Sequence, residues 1–198
     1  MINALLLIFD ASSTWDKIVR TNRGVVGVFF IHLLPLMLIS LGIEAFVLAK
    51  WGETRGLSDH INKVAQPVVL HYALTHLVLW LAVVFLGAKI LQRIGESFHS
   101  EHNYRQCFVT LAYALSPLFL ARILDAWPVM NTWVCWTIGA ILSVAVMYQG
   151  LPRLMNPDQT NALGIYLVSS VLVLIMTGAA HYVAVLVLHE KIPLHFLD

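Results

Sequence analysis

Five stretches of about 20 predominantly apolar residues take up most of the chain. They run from Val25 to Leu48, Pro67 to Leu91, Cys107 to Ile123, Val129 to Leu151 and Ala162 to Leu188. Nothing else in the sequence restricts the fold as strongly. A water-soluble domain has about 25% charged residues, whereas this chain is 12% charged and 59% hydrophobic, with mean hydropathy +0.79. Too few polar residues remain to clothe a soluble core, so the natural solvent is lipid. A backbone in lipid must satisfy its own hydrogen bonds, and a helix does so within each segment. The polar–apolar alternation of a barrel strand is absent. The chain is therefore predicted to be an all-α integral membrane protein, a five-transmembrane-helix bundle.

The boundaries carry their own chemistry. Lys50-Trp51-Gly52 ends the first span, and Gln66-Pro67 opens the second with proline where a first turn tolerates it. Trp127-Pro128 separates the third from the fourth, and Gly150 with Pro152 closes the fourth. Asn156-Pro157-Asp158 reads as an N-cap, a proline and a first-turn acid for the fifth. Ahead of the spans, Ser13 or Thr14 caps a short helix. Trp15, Ile18, Val19 and Asn22 share one side of it; Asp16, Lys17, Arg20 and Arg23 fall elsewhere. That pattern fits a short N-terminal interfacial helix. The organisation is an interfacial segment at 1–24, a five-helix domain at 25–188 and a tail at 189–198.

Net charge is +1, which leaves no basic field for nucleic acid. Cys107 and Cys135 make neither a disulfide framework nor a CxxC metal site, and their depths in successive spans exclude a bond between them. The opening MINALLLIF lacks the basic region of a removable signal peptide. With the N-terminus inside, the inner side holds Lys17, Arg20, Arg23, Lys89, Arg93, Arg105 and Arg153, seven in all. The outer side holds five: Lys50, Arg55, Lys63, Arg122 and Lys191. That bias puts the N-terminus in the cytoplasm and the C-terminus outside.

Charges inside spans cost about 2.5–3.5 kcal/mol each at the centre of a span, and less near its end. Glu44 lies toward the outer end of the first span, and Arg122 and Asp125 toward that of the third. Arg122 and Asp125 are three apart and can pair, with Glu44 at a similar depth. They are read first as snorkelling to the outer headgroups, and an inter-helix ion pair that fixes how the first and third spans pack is the alternative. His71 and His76 in the second span and His181 in the fifth share the outer half. His71 and His76 are five apart, about 140° round a helix, whereas helical metal pairs are four apart. They are read as packing histidines, with a metal site or proton route as the alternatives. His32 is read as a lone packing residue. His99, Glu101 and His102 form a solvated loop or, if helical, a chelating pair, and Glu190 is a wet terminus. No GxSxG, P-loop, HExxH or glycine-rich nucleotide motif is present, and no catalytic residue, cofactor or metal is assigned. Ala112 with Ser116, Gly139 with Ser143, and Thr177 to Ala180 let helices approach within the bundle or across a dimer.

Pro117 falls mid-span, where it removes an amide hydrogen and clashes with the carbonyl of Tyr113, predicting a kink. This stretch, TLAYALSPLFLARIL, and the later WTIGAILSVAVMYQGLPRLMNPDQTNALG resemble the Yip domain (Ypt/Rab-interacting protein) family, in particular its bacterial inner-membrane branch. The matching residues are Tyr113, Pro117, Leu118-Phe119-Leu120, Tyr148, Gly150, Pro152 and Asn156. The resemblance covers roughly residues 104 to 185, and the first two spans by layout. Phe9-Asp10-Ala11-Ser12 is also similar to that branch, without the proline expected nearby. The resemblance implies five membrane helices and a cytoplasmic N-terminus. Binding of small GTPases, which eukaryotic relatives achieve through a longer N-terminal region, is not carried over.

Three functions follow as expectations. The first is a non-enzymatic protein of the bacterial inner membrane that organises the bilayer or scaffolds membrane-protein partners or copies of itself. The second is a small proton- or metal-linked transporter using Glu44, His71, His76, Arg122, Asp125 and His181. The third is a lipid-acting enzyme, for which only Glu101 with His102, or Asp125 with Arg122, offer chemistry.

Overall fold

A computed structural model describes residues 2–54, 61–98, 102–126 and 130–189. Five helices long and apolar enough to cross a membrane run over Val25–Trp51, Gln66–Ser97, Tyr104–Leu124, Thr132–Met155 and Thr160–Leu188. Two short helices precede them, α1 (Ile2–Phe9) and α2 (Ala11–Thr21). The loop after the first span holds one antiparallel pairing of β1 (Glu53–Thr54) with β2 (Ile61–Asn62). Trp127-Pro128, His99, Glu101 and Glu190 lie outside the described residues.

The third span is the centre. Its apolar window is 83% buried, against 39–44% for the other four. The first, second and fourth spans pack directly on it, and the fifth closes the bundle against the second. Gly139 of the fourth span is one reason the third can be enclosed. A Cβ there would lie 2.8 Å from the Leu118 backbone, so this small residue belongs to the internal bundle. The outer faces carry Phe30, Leu38, Phe46, Val78, Leu167 and Ile175, large apolar side chains left exposed as lipid requires.

The third span breaks where proline demands it. Its helix runs Tyr104–Ala114, restarts as Ser116–Ala121 and tightens into a 3-10 turn over Arg122–Ala126. Ser116 Oγ reaches the carbonyl of Ala112 at 3.4 Å and lies 2.8 Å from His32 Nε2. His32 also stacks on Tyr113, ring centroids 4.1 Å apart. It is therefore not alone. It sits in a π-helical turn, Phe29–Leu33, just ahead of Pro35, where Leu34 donates to Phe29 instead of the usual fourth residue back. The extra residue in that turn gives the first span a local widening opposite the break in the third.

The helix ends differ from expectation at three places. The cap of α2 is Asp10, whose carboxylate accepts from the Ser13 backbone at 3.2 Å and from the Ser13 hydroxyl, so neither Ser13 nor Thr14 caps it. Those hydrogen bonds, the side-chain one foremost, hold the Asp10 carboxyl below its ordinary 3.8. A depressed carboxyl stabilises the folded state above its unfolded pKa, and the contribution is lost as pH falls through the folded value. The fourth span does not close at Gly150 or Pro152; it continues to Met155. Asn156 then ends it in the left-handed conformation, φ 41°, which asparagine tolerates, so it caps the fourth span and does not start the fifth. Asp158 is the N-cap of the fifth, and the helix begins at Gln159.

The N-terminal segment is an integral part of the packing. In α1, Ala4 and Leu7 are fully buried, and the helix lies against Ser116–Ala121, beyond the break in the third span. Sequence periodicity did not separate this apolar helix from α2. The latter buries Ala11, Thr14, Trp15 and Ile18 and turns Asp16, Lys17 and Arg20 outward. Trp15, expected at a water boundary, is fully buried in protein. Its indole nitrogen donates to the Val146 carbonyl at 3.0 Å, and its ring is edge-on to Tyr113. Gly150 makes that seat: a Cβ there would lie 2.2 Å from the indole. Arg153 ties the same helices together through Asp16 at 3.1 Å and Ser12 at 2.6 Å. Cys107 and Cys135 are both buried and are not bonded to each other.

Gly150→Val is expected to expel Trp15 and release α2. Trp15→Ala should cost about 3 kcal/mol, as large buried truncations do. Hydrogen exchange checks both: α2 amides should lose protection in each variant while the fifth span keeps its own.

Candidate functional site

The polar residues that the spans hide meet at one end of the bundle. Glu44, Tyr72, His76 and His181 lie six to ten residues in from the ends of their helices at Trp51, Gln66 and Leu188. At 1.5 Å per residue that is about 9–15 Å below that end. Arg122 reaches the same level from the third span, at the start of its 3-10 turn. Burial is nearly complete: Glu44 is 4% exposed, Arg122 1%, His76 0% and His181 1%.

Arg122 is the hub. Its Nε donates to Glu44 Oε2 at 3.2 Å, and its Nη2 to Glu44 Oε1 and, at 2.8 Å, to the Tyr72 oxygen. The Tyr72 hydroxyl in turn donates to Glu44 Oε1. Nη1 donates to His181 Nδ1 at 2.9 Å. A guanidinium has no acceptor, so this contact fixes His181 as the neutral tautomer protonated on Nε2. The guanidinium carbon lies 5.3 Å from the Trp80 ring centroid, a cation–π contact. Trp133 is edge-on to His181 at 4.7 Å, and Trp136 lies parallel to it at 6.5 Å. First-span Glu44, second-span Tyr72, His76 and Trp80, third-span Arg122, fourth-span Trp133 and Trp136, and fifth-span His181 thus converge on one point.

Three imidazole nitrogens in the cluster lack polar partners among the described residues. Neither ring nitrogen of His76 has a hydrogen bond among the described residues, and neither does His181 Nε2. The two rings are 6.0 Å apart, and His76 rests on Trp80 at 4.6 Å. Among the described residues no three His, Cys, Asp or Glu side chains gather to hold a metal.

Of the six residues picked from the sequence, the structure brings together Glu44, His76, Arg122 and His181. His71 is half-buried on another side of its helix and takes no part. Asp125 lies in the turn Arg122–Ala126, with its side chain outside the described residues. Tyr72 and Trp80 were missed, although Tyr72, His76 and Trp80 repeat every four residues and so share one helix face. His102, expected in a solvated loop, is 6% exposed, and burial pushes its pKa below 6.5. The motif residues Tyr113, Pro117, Gly150, Pro152 and Asn156 belong to the break and cap described above. Tyr148 is exposed, edge-on to Tyr166 at 4.9 Å.

A model of the Yip1 domain matches residues 5–180. The chain belongs to the Yip1 domain family. The match begins within α1 and spans all of α2 and the first four spans, so the likeness seen in the third to fifth spans extends to the first two. It ends one residue short of His181. No curated protein and no solved structure is significantly similar to this Yip1-domain protein.

Removing one partner of a buried ion pair leaves the other charge uncompensated, at a cost of about 3–5 kcal/mol. Glu44→Gln and Arg122→Gln should each destabilise by that order. The double variant should cost less than the sum, with a coupling of at least about 1 kcal/mol. Unfolding in mixed micelles measures the cycle; additive losses would show that the pair is not coupled.

Proposed function

We propose that this protein is a non-enzymatic organiser of the bacterial inner membrane, a rigid five-helix body that orders lipid or scaffolds other membrane proteins. Its N-terminus is cytoplasmic and its C-terminus periplasmic, which sets the Arg122 cluster in the periplasmic half of the bilayer and α2 at the cytoplasmic face. One observation carries the reading. Every guanidinium nitrogen of Arg122 is engaged, by Glu44, Tyr72 or His181. Charge in the membrane is thereby used to lock four of the five spans together, which supports a body built for shape. A reaction centre or an ion path would keep charge available for a substrate.

A second reading rests on His76. A buried imidazole with both nitrogens unpartnered among the described residues, 6.0 Å from a histidine bonded to Arg122, is what a proton-linked carrier would use.

Proteoliposomes enclosing a pH-sensitive dye decide between them. Under the first reading the protein passes no more protons than empty vesicles. A protein-dependent leak abolished by His76→Ala would instead establish the carrier. Reporter fusions should place the two termini on opposite sides. Photo-crosslinking in cells from exposed Leu38 and Ile175 should capture a membrane-protein partner, and capture of none would remove scaffolding from the proposal.

A further inference from the structure

The end of the bundle opposite Arg122 holds a cavity of about 320 Å³ between the last turn of α2, the first turn of the third span and the last turn of the fourth. Arg23, Arg105 and Arg153 all line it, with Asn22, Asn103 and Gln106. Among the described residues no acidic side chain lines it, although Asp16 pairs with Arg153 from outside at 3.1 Å. The three arginines are not equivalent. Arg153 is fully engaged, donating to Asp16, to the Gln149 carbonyl at 2.8 Å and to Ser12. Arg105 uses Nε on the Arg23 carbonyl at 3.2 Å and Nη2 on Asn22, which leaves Nη1 without a hydrogen bond among the described residues. Arg23 is exposed, and its side chain has no hydrogen bond or carboxylate partner among the described residues. Asn103 occupies the N-cap of the third span, so the positive end of that helix dipole adds to the field.

The location narrows the ligand. Three helices end here, and the first span begins two residues after Arg23, so the cavity lies at the boundary between lipid and water. Val19 lines it and is 40% exposed, and Val26, at the start of the first span, is 69% exposed. Apolar side chains are thus exposed both at the rim of the cavity and at the start of the first span. A cavity with guanidinium donors unpaired among the described residues, next to exposed apolar side chains at the start of a span, suits a molecule with an anionic phosphate at one end and acyl chains at the other. Guanidinium groups favour such oxyanions through paired N–H donors.

We propose that this cavity binds the phosphodiester headgroup of an anionic glycerophospholipid, with Arg23 and the free edge of Arg105 as its donors. The proposal does not depend on which face of the membrane the cavity occupies.

The test uses full-length protein in phosphatidylcholine nanodiscs titrated with phosphatidylglycerol. Wild type should gain thermal stability with phosphatidylglycerol and keep one such lipid through native mass spectrometry after detergent exchange. Arg23→Gln removes no protein hydrogen bond, so it should fold normally and retain at least five-fold less. Arg93→Gln, at an exposed arginine of the second span whose ion pair among the described residues is with Glu96, should retain as much as wild type. Equal retention by Arg23→Gln and wild type would overturn the proposal, as would equal losses in Arg23→Gln and Arg93→Gln, which would reveal diffuse attraction. If inorganic phosphate or glycerol phosphate gave the same stabilisation as the lipid, the ligand would be a soluble phosphate and the lipid assignment would fall.

Discussion

A guanidinium buried inside a hydrophobic bundle sets the terms for the rest of this molecule. Arg122 does not give up its proton, so burial cannot be relieved by neutralisation as it can for an acid. Its charge must be matched where it lies. One helix neighbour supplies too few acceptors for a planar fork of five N–H groups. Glu44, Tyr72 and His181 supply them from three different helices, and the Trp80 face covers what remains. A helix carrying such a residue must be central, and the third span is the most enclosed of the five. The charge and the architecture are thus two descriptions of one constraint.

The opposite half of the bundle solves a different problem. Pro117 interrupts the third span, and an interrupted helix in lipid needs neighbours for its freed backbone. The π-turn of the first span brings His32 to Ser116, α1 lies along the segment beyond the break, and Trp15 closes the gap from α2 against Tyr113 and Gly150. Each device depends on another: Gly150 leaves room for an indole, and the indole covers Tyr113, which stacks on His32. The short N-terminal helices therefore complete the core of a domain whose central helix is broken.

The spans were legible because one term dominates them: an unpaired charge or open backbone in hydrocarbon costs more than local propensity can return, so hydropathy alone marks them. The shared depth of Glu44, Arg122, His76 and His181 was legible for a related reason, since buried charge has few tolerable depths. What hydropathy cannot do is choose among apolar or aromatic residues that look alike. Tyr72 and Trp80 read as ordinary membrane aromatics until the face shared with His76 is drawn. His71 and His76 are equivalent in composition and are distinguished only by the direction each points. The π-turn at Phe29–Leu33 leaves no mark beyond Pro35, and the eight residues of α1 are too few to show a period. Asn156 was assigned to the wrong helix because asparagine serves both as an N-cap and as a left-handed C-cap, and only the backbone angle separates the two roles.

The two ends of the bundle put charge to contrasting uses. Near Glu44 the polar atoms face one another, sealed beneath tryptophans, and the arginine there has no nitrogen left for anything else. Near Arg23 and Arg105 the polar atoms border an opening, and donor capacity remains after the protein's own contacts are made. Enclosed donors favour a single arrangement of the helices and thereby stiffen the body. Open donors at a lipid boundary do nothing for the fold by themselves. The Arg23 side chain satisfies no group among the described residues, and its charge adds to repulsion between neighbouring cations. Such a residue costs little only where water or an anion receives it, and an anion fixed by two arginines at the end of α2 would hold that helix against the bundle from outside, as Trp15 holds it from within.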